Sequence, residues 1–468
     1  MEPERVKRKQ KIKLVLTEVA MVVSVIVLVV LLMFMVMGYS LKTGGDEWSL
    51  EQSGLVQLAS QPSGASIEID GEDIFPRTET SRMLSAGKHS IKLYRDGYDS
   101  WMKDIMVKSG IFLRIKYPRL FKDNRTAEVA QKYENIEWLD FASNRNSVLY
   151  AKKDSRVWHW VSLRDDRLTE TEINTEGMFT GAVASRYWVG NGEKLLMKVV
   201  DDDVAKWLVV DLKNPSRTVN ITDTFGMNFS DVKPLNDSAD KMWAVENGNL
   251  RSLNLSSKES SAVLISNIVD FTNDRGRLVY VAKDSTGQRM IGSYREGDKE
   301  SVKVKTIGVG DEIVKVGTEE YLGEVYLNYL IGQKLYAYKA SEFPIEGQAF
   351  EMEEVLTKDL SITPNTFKVS DNGQFIVMTN EEKIALMDAE TEQVYEYALE
   401  NGRYFWLDDY LIGVVADGKL VVRDFDGTNR RELTKMSGEY PAIISVNGKW
   451  LYYTMVDGGK VDLMREEL

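Results

Sequence analysis

The chain has 468 residues, 43% of them hydrophobic, a formal net charge of −13 and no cysteine. Lack of cysteine excludes disulfides, thiolate catalysis and Cys-based metal sites. The acidic balance argues against nucleic acid as a partner, because phosphate binding needs a positive field. The length exceeds one ordinary domain.

Residues 1–18 read as a basic cytoplasmic tail, with Arg5, Lys7, Arg8, Lys9, Lys11 and Lys13 set against Glu2 and Glu4. Residues 19–39, Val19 to Tyr39, carry no charge and are nearly all Val, Leu, Ile or Met, with Ser24 polar. At ~1.5 Å per residue this run spans roughly 31 Å, the thickness of a hydrocarbon core. A cleaved signal peptide has a shorter apolar region and a small-x-small cleavage site; Met35-Val36-Met37-Gly38-Tyr39-Ser40 is a poor one. A buried core helix of this length rarely lacks a polar stripe. The reading is therefore a single membrane span, with Glu18 at its cytoplasmic edge. Short basic flanks stay inside, which puts everything after Tyr39 outside the cytoplasm.

Residues 40–53 read as a linker, since Thr43-Gly44-Gly45-Asp46-Glu47 shows no periodicity. From Gly54 short alternating strands follow. Leu55 to Leu58 is the first, and Pro62-Ser63-Gly64 a turn. Ala65, Ile67 and Ile69 share one face of the next strand, and Asp70-Gly71 is a tight-turn pair. His89, Ile91 and Leu93 alternate, Gly97-Tyr98 turns into Trp101 to Val107, and Ile111, Leu113, Ile115 and Tyr117 are expected to face inward. His89 is expected to be structural, because His159 lies in another region.

These residues resemble the PEGA domain, a small β-sandwich-like module of prokaryotic surface proteins, over 54–121. The carriers are Pro62, Gly64 and Ala65, then Asp70 and Gly71, Leu84 with Gly87 and His89, Gly97-Tyr98, and Gly110. Ser63 stands where the namesake box has glutamate, and Phe75-Pro76-Arg77-Thr78 replaces the usual Gly-x-Thr-Pro. The resemblance implies a spacer or interaction module and supplies no catalytic residues.

Residues 122–468 repeat loosely every ~35–50 residues, the signature of a β-propeller. Asn191-Gly192, Asn372-Gly373 and Asn447-Gly448 each precede an apolar strand, with weaker copies at 273–276 and 408–409. Asn-Gly is a strong hairpin signal because both positions can need φ > 0. A second recurring strand ends in aspartate at Asp211, Asp388 and Asp424. The segment Asp424-Phe425-Asp426-Gly427-Thr428-Asn429, with Leu433-Thr434, looks like the blade ending of TolB-type propellers. Units begin near 137, 184, 237, 268, 313, 367, 403 and 442, which suggests eight blades. Seven is the alternative count, open if the last short unit pairs with residues 127–136 to close the ring. The fold class expected is thus mostly β: a membrane helix, a PEGA-like sandwich and a propeller.

Sharper chemistry finds little footing. Asp424 and Asp426 open like a calcium loop, but Gly427 and Thr428 break its spacing and it lacks the closing glutamate. Asp201-Asp202-Asp203 reads as a solvated turn, and Trp158 and Trp160 as blade packing with His159 on the opposite face. No Gly-x-Ser-x-Gly elbow, phosphate loop or His-Glu-x-x-His motif occurs. A propeller-gated peptidase would need a hydrolase domain after the propeller, and no such sequence is read before Leu468. No catalytic, metal or cofactor residues are assigned. The expectation is a non-enzymatic, membrane-anchored binding or scaffold protein of the cell envelope, with an envelope protein or glycan as partner. The alternatives are a propeller glycosidase or lyase acting on envelope glycan, and a purely structural spacer.

Overall fold

The computed structural model describes residues 2–468 except 37, 45–46, 166, 237, 344–350 and 401–402; of residues 2–15, 35–36 and 40–50 it describes the backbone alone. The chain divides into two compact units, 1–124 and 125–468.

The first unit opens with a long helix, α1 (Glu2–Val36). Its segment Leu16–Phe34 has mean hydropathy 2.8, has no buried residue, and is long and apolar enough to cross a membrane. The basic residues from Arg5 to Lys13 lie on this same helix, and their side chains fall outside the described residues. The helix stops short of the expected Tyr39. Gly38 takes φ +78, and a Cβ there would collide with the Gly110 backbone, so the chain can turn away at this point only with glycine.

Eight strands follow: β1 (Tyr39–Gly44), β2 (Glu47–Leu58), β3 (Ser66–Ile69), β4 (Glu72–Ile74), β5 (Thr80–Ser85), β6 (Gly87–Tyr94), β7 (Trp101–Val107) and β8 (Phe112–Ile115). They form two sheets, β4-β3-β6-β7 and one in which β2 pairs with β1, β5 and, in parallel, β8. Residues 40–44 and 47–53, expected to lack regular structure, instead lie in the paired strands β1 and β2, with Tyr39 opposite Gln52 and Gly44 opposite Glu47. Alternation within 54–115 works as read. Val56, Leu58, Ile67, Ile69, Ile91, Leu93, Trp101, Ile105 and Ile115 fill the core between the sheets. Leu113 and Tyr117 pack against that core, but Ile111 is 52% exposed, contrary to expectation. It precedes β8, in the turn after Gly110, where the period-2 pattern has not yet begun.

The chain enters and leaves this unit at opposite ends. Gly38 and Gly110 both meet Ser53, at the end where Gly87 pairs with Val107. At the far end the outgoing segment bonds to the β6–β7 turn: Asp99 N–H donates to Phe121 O and Asp123 N–H to Gly97 O.

Among the described residues the second unit holds eight four-stranded antiparallel sheets in chain order, a β-propeller. The first strands of the blades are Ile136–Phe141, Ala182–Val189, Asp231–Pro234, Ile268–Asp274, Val314–Tyr321, Thr366–Val369, Phe405–Trp406 and Ile443–Ile444. First strands of blades 3 to 6 pack on one another in succession, so they are the inner strands. Blade 3 starts earlier than the expected 237, a residue outside the described set. The ring is closed by Ala127–Glu134, which pairs with Lys460–Glu467 as the outer strand of blade 8. Closure does not reduce the count to seven, because Ile136–Phe141 begins a separate complete blade. The interfaces from blade 8 round through blade 1 to blade 6 each carry an apolar core; Trp158, for example, packs with Leu149, Leu195, Met197 and Leu208 between blades 1 and 2.

The two recurring motifs have distinct physical tasks. At Ser370 and Ser445 the turn from first to second strand is built identically. The serine hydroxyl accepts from the N–H of Phe375 or Trp450, and the Oδ1 of Asn372 or Asn447 receives the hydroxyl and the N–H of Gln374 or Lys449. Only the glycine has φ > 0 there, +70 and +71, so these are not the two-residue hairpins that Asn-Gly suggested. At Asn191-Gly192 both residues do, +55 and +74.

Candidate functional site at the propeller mouth

The inner strands of blades 1, 6, 7 and 8 end around a cavity of about 490 Å³. These blades are consecutive once blade 8 meets blade 1, whose residues Phe141, Val148 and Tyr150 share a core with Ile443, Tyr452 and Leu463. The floor is apolar and aromatic, from Phe141, Val377, Phe405, Trp406 and Ile443. Trp406 is held by stacking on buried Phe375, with ring centroids 5.7 Å apart at 15°. The turns after the inner strands bring Arg145, Asp371, Asp408 and Asp409 to the rim, and Lys368 joins them from the inner strand of blade 6.

These charges have different duties. The Oδ1 of Asp408 accepts from the N–H groups of Tyr410 and Leu411, at 2.9 and 2.8 Å, and shapes its own turn. Arg145, in a turn with φ +57, reaches Asp409 at 3.4 Å, joining blade 1 to blade 7. Asn372 Nδ2 donates to the Asp409 carbonyl at 3.1 Å, joining blade 6 to blade 7. Asp371 is raised above the ordinary carboxylate value, first by loss of solvent in the mouth and then by Asp409, against the pull of Arg145 and Lys368. Its side chain still reaches water although protein surrounds it, so the rise is screened and modest. The mouth can therefore offer a ligand an aromatic platform, two cations and two carboxylates within one cavity.

Sequence reasoning placed none of these residues in a site. Asn372-Gly373 and Asp408-Asp409 were visible as turn signals, and the turns do form the rim. Nothing in the spacing shows that blades 6, 7, 8 and 1 share a cavity. The residues that were singled out lie elsewhere. His89 is fixed in the first unit, with Nδ1 2.6 Å from Asp70 and Nε2 2.8 Å from Ser85 O. Asp70 and Gly71, at φ +54 and +87, form the tight turn expected between β3 and β4. The Ser90 N–H, and then His89, hold the Asp70 carboxyl below its usual value. Ala65 is fully buried, Gly64 and Gly97 have φ +79 and +77, Gly87 φ +143, and Pro62 and Tyr98 lie at the turns. His159 stacks on Tyr150 at 4.6 Å and bonds Glu170 at 2.7 Å. Asp426 accepts from Thr428, and Asn429 donates to Asp424, so this segment folds as a turn. Asp202 and Asp203 occupy a hairpin tip with φ +47 and +65.

Residues 53–119 match the PEGA domain. The chain therefore carries a PEGA domain followed by an eight-bladed β-propeller. No curated protein sequence matches. Among solved structures, the C-terminal WD40 domain of Sif2 aligns with TM-score 0.46 at 10% identity, covering 73% of this chain and 98% of that one. A prolyl endopeptidase aligns with TM-score 0.44 at 10% identity, covering 70% and 53%. The oligogalacturonate lyase of Vibrio parahaemolyticus gives 0.40 at 11%, covering 74% and 98%.

Proposed function

We propose that this is a membrane-anchored binding protein of the cell envelope. In this reading α1 spans the bilayer once, its basic end remains in the cytoplasm, the PEGA domain acts as a spacer, and the propeller binds an envelope protein or polymer at its mouth. The observation that carries the reading is the cavity where Trp406, Arg145, Lys368 and Asp371 converge from three blades. Rigid blades presenting variable turns suit recognition. A purely structural spacer has no need of such a concentration. The test is cross-linking in intact envelopes with the full chain, comparing wild type with Arg145→Glu/Lys368→Glu. Products present with wild type and reduced at least tenfold in the variant are expected. Identical products from both would overturn the mouth as the binding site.

One observation favours a second reading, glycan cleavage. Asp371, its carboxyl raised by loss of solvent in the mouth, shares the cavity with a second carboxylate, Asp409, which is ion-paired to Arg145, and glycoside cleavage uses two carboxyl groups. Release of new sugar ends from purified envelope polymer, abolished by Asp371→Asn, is the outcome that would establish it.

A further inference from the structure

We propose that the PEGA domain lies on the outer surface of the bilayer through an apolar patch beside the end of α1. The proposal rests on the single-span reading above. Its first support is position. Gly38 O accepts from the Ser53 N–H and, at 3.1 Å, from the Ser53 hydroxyl; the Gly110 N–H donates to Ser53 O at 2.9 Å; and the Ser109 hydroxyl reaches Gly38 O at 3.5 Å. The turn from Lys108 to Ile111 is therefore tied to the helix end. From Phe34, the last residue of the apolar segment, to Gly38 is a stretch that even fully extended covers at most about 14 Å. With Leu16–Phe34 in the hydrocarbon, this turn is held at headgroup level or just above it.

The second support is chemistry. Leu55 is opposite Met83 on one side and Phe112 on the other, so the three side chains form one row on the outward face of the sheet. Met83 is 47% exposed, Phe112 37%, and Ile111, next to them in the turn, 52%. The following row is polar: Ser81, Gln57 and Arg114, with the Arg114 guanidinium 4.3 Å from the Phe112 ring centroid. Exposed Lys108 sits in the turn itself. With Lys108 in the turn at the helix end and Arg114 in the row behind the apolar one, the patch sets apolar side chains between cations, the mix met where acyl chains give way to phosphates. Arg114 and Lys108 are also of the sign that anionic lipid attracts, in a chain whose net charge is −13.

The absence of cysteine makes the test direct. Three full-length variants, Val27→Cys, Ile111→Cys and Asp96→Cys, are labelled with a fluorophore and reconstituted in phosphatidylcholine/phosphatidylglycerol vesicles containing nitroxide lipids. Asp96 is exposed in the β6–β7 turn, at the end away from Gly38. The expected result is strong quenching at 27 by acyl-chain nitroxides, at least twofold quenching at 111 by headgroup or shallow nitroxides, and none at 96. Adding Phe112→Asp to the 111 label should remove its quenching. If 27 is quenched while 111 behaves like 96, docking is overturned and the span stands. If 27 is not quenched either, the span reading itself fails. A signal at 111 that follows protein density instead of quencher would assign the patch to a second copy of the chain and also overturn the proposal.

Discussion

Glu319, on the inner strand of blade 5, is 2% exposed. Its Oε1 accepts from Asn328 Nδ2 at 2.8 Å, while its Oε2 and the Asn328 Oδ1 are buried without partners. Burial, with a smaller push from Asp274, holds the carboxyl well above its ordinary value. A neutral acid supplies a proton to an acceptor, which an ionised one cannot do. The sign follows from linkage. The group's contribution is full below the unfolded-chain value near 4.5 and is lost as pH rises toward the raised folded value. Glu319→Gln keeps the shape without the charge. We expect it to raise propeller stability at pH 8 by ~1–3 kcal/mol and to flatten the pH dependence above 5, read by urea denaturation at several pH values. Parallel slopes for variant and wild type would contradict this. The recurring aspartates were visible in the sequence as a pattern, and the structure supplies the reason. Asp211 accepts from the N–H groups of Lys213 and Asn214, and Asp388 from the Glu390 N–H, Thr391 and Gln374. Each aspartate fixes the turn from third to fourth strand. Blade 3 achieves the same with Asn254, which receives the N–H groups of Ser256 and Ser257. Glu319 had no comparable signal, since the adjacent pair Glu319-Glu320 gives no hint of which acid turns inward.

At the scale of elements, alternation made the strands of both units legible, and turn chemistry placed most blade starts. Two elements escaped. The β1–β2 pair is formed by residues with no apolar periodicity. The short helix Ile221–Phe225, capped by Asn220 and ended by Gly226 at φ +62, is an insertion between blades 2 and 3 rather than part of the repeat. The closing strand was considered only as part of the seven-blade alternative; it does pair with the last unit, and the blades number the eight that were preferred. Most of that strand is exposed, and Tyr133 is its buried anchor, 2% exposed and 4.3 Å from the Tyr150 ring. Tyr133→Ala should therefore cost ~3–5 kcal/mol in the propeller, seen as a shifted denaturation midpoint. A shift no larger than that of the exposed Val129→Ala would show that the latch is not anchored there. The mouth cavity belongs to this scale as well, because segments of four separate blades must be brought together before it exists.

For the whole molecule, the order of parts follows from charge and hydropathy alone: a basic start, an apolar span and an acidic remainder. Their orientation is a prediction. A reporter active only outside the cytoplasm, fused after Leu468, should be active. Replacing Arg5, Lys7, Arg8, Lys9, Lys11 and Lys13 with Gln should reduce that activity severalfold by mixing topologies. An unchanged reporter would mean that the tail does not set the direction.

The strand that closes the ring has a mechanical side too. It is the first segment of the propeller, so any pull transmitted along the chain from the first unit reaches it before any other strand. Arg125 stands at that point of entry, with one nitrogen donating to Leu433 O at 2.9 Å and another 3.4 Å from Glu466. Beyond this clamp, Glu128 pairs with Arg465 at 2.5 Å. Tension is thus taken first by two arginine contacts. If they yield, the outer strand of blade 8 is the next part to peel away, and the head opens at its seam before any other blade bears load.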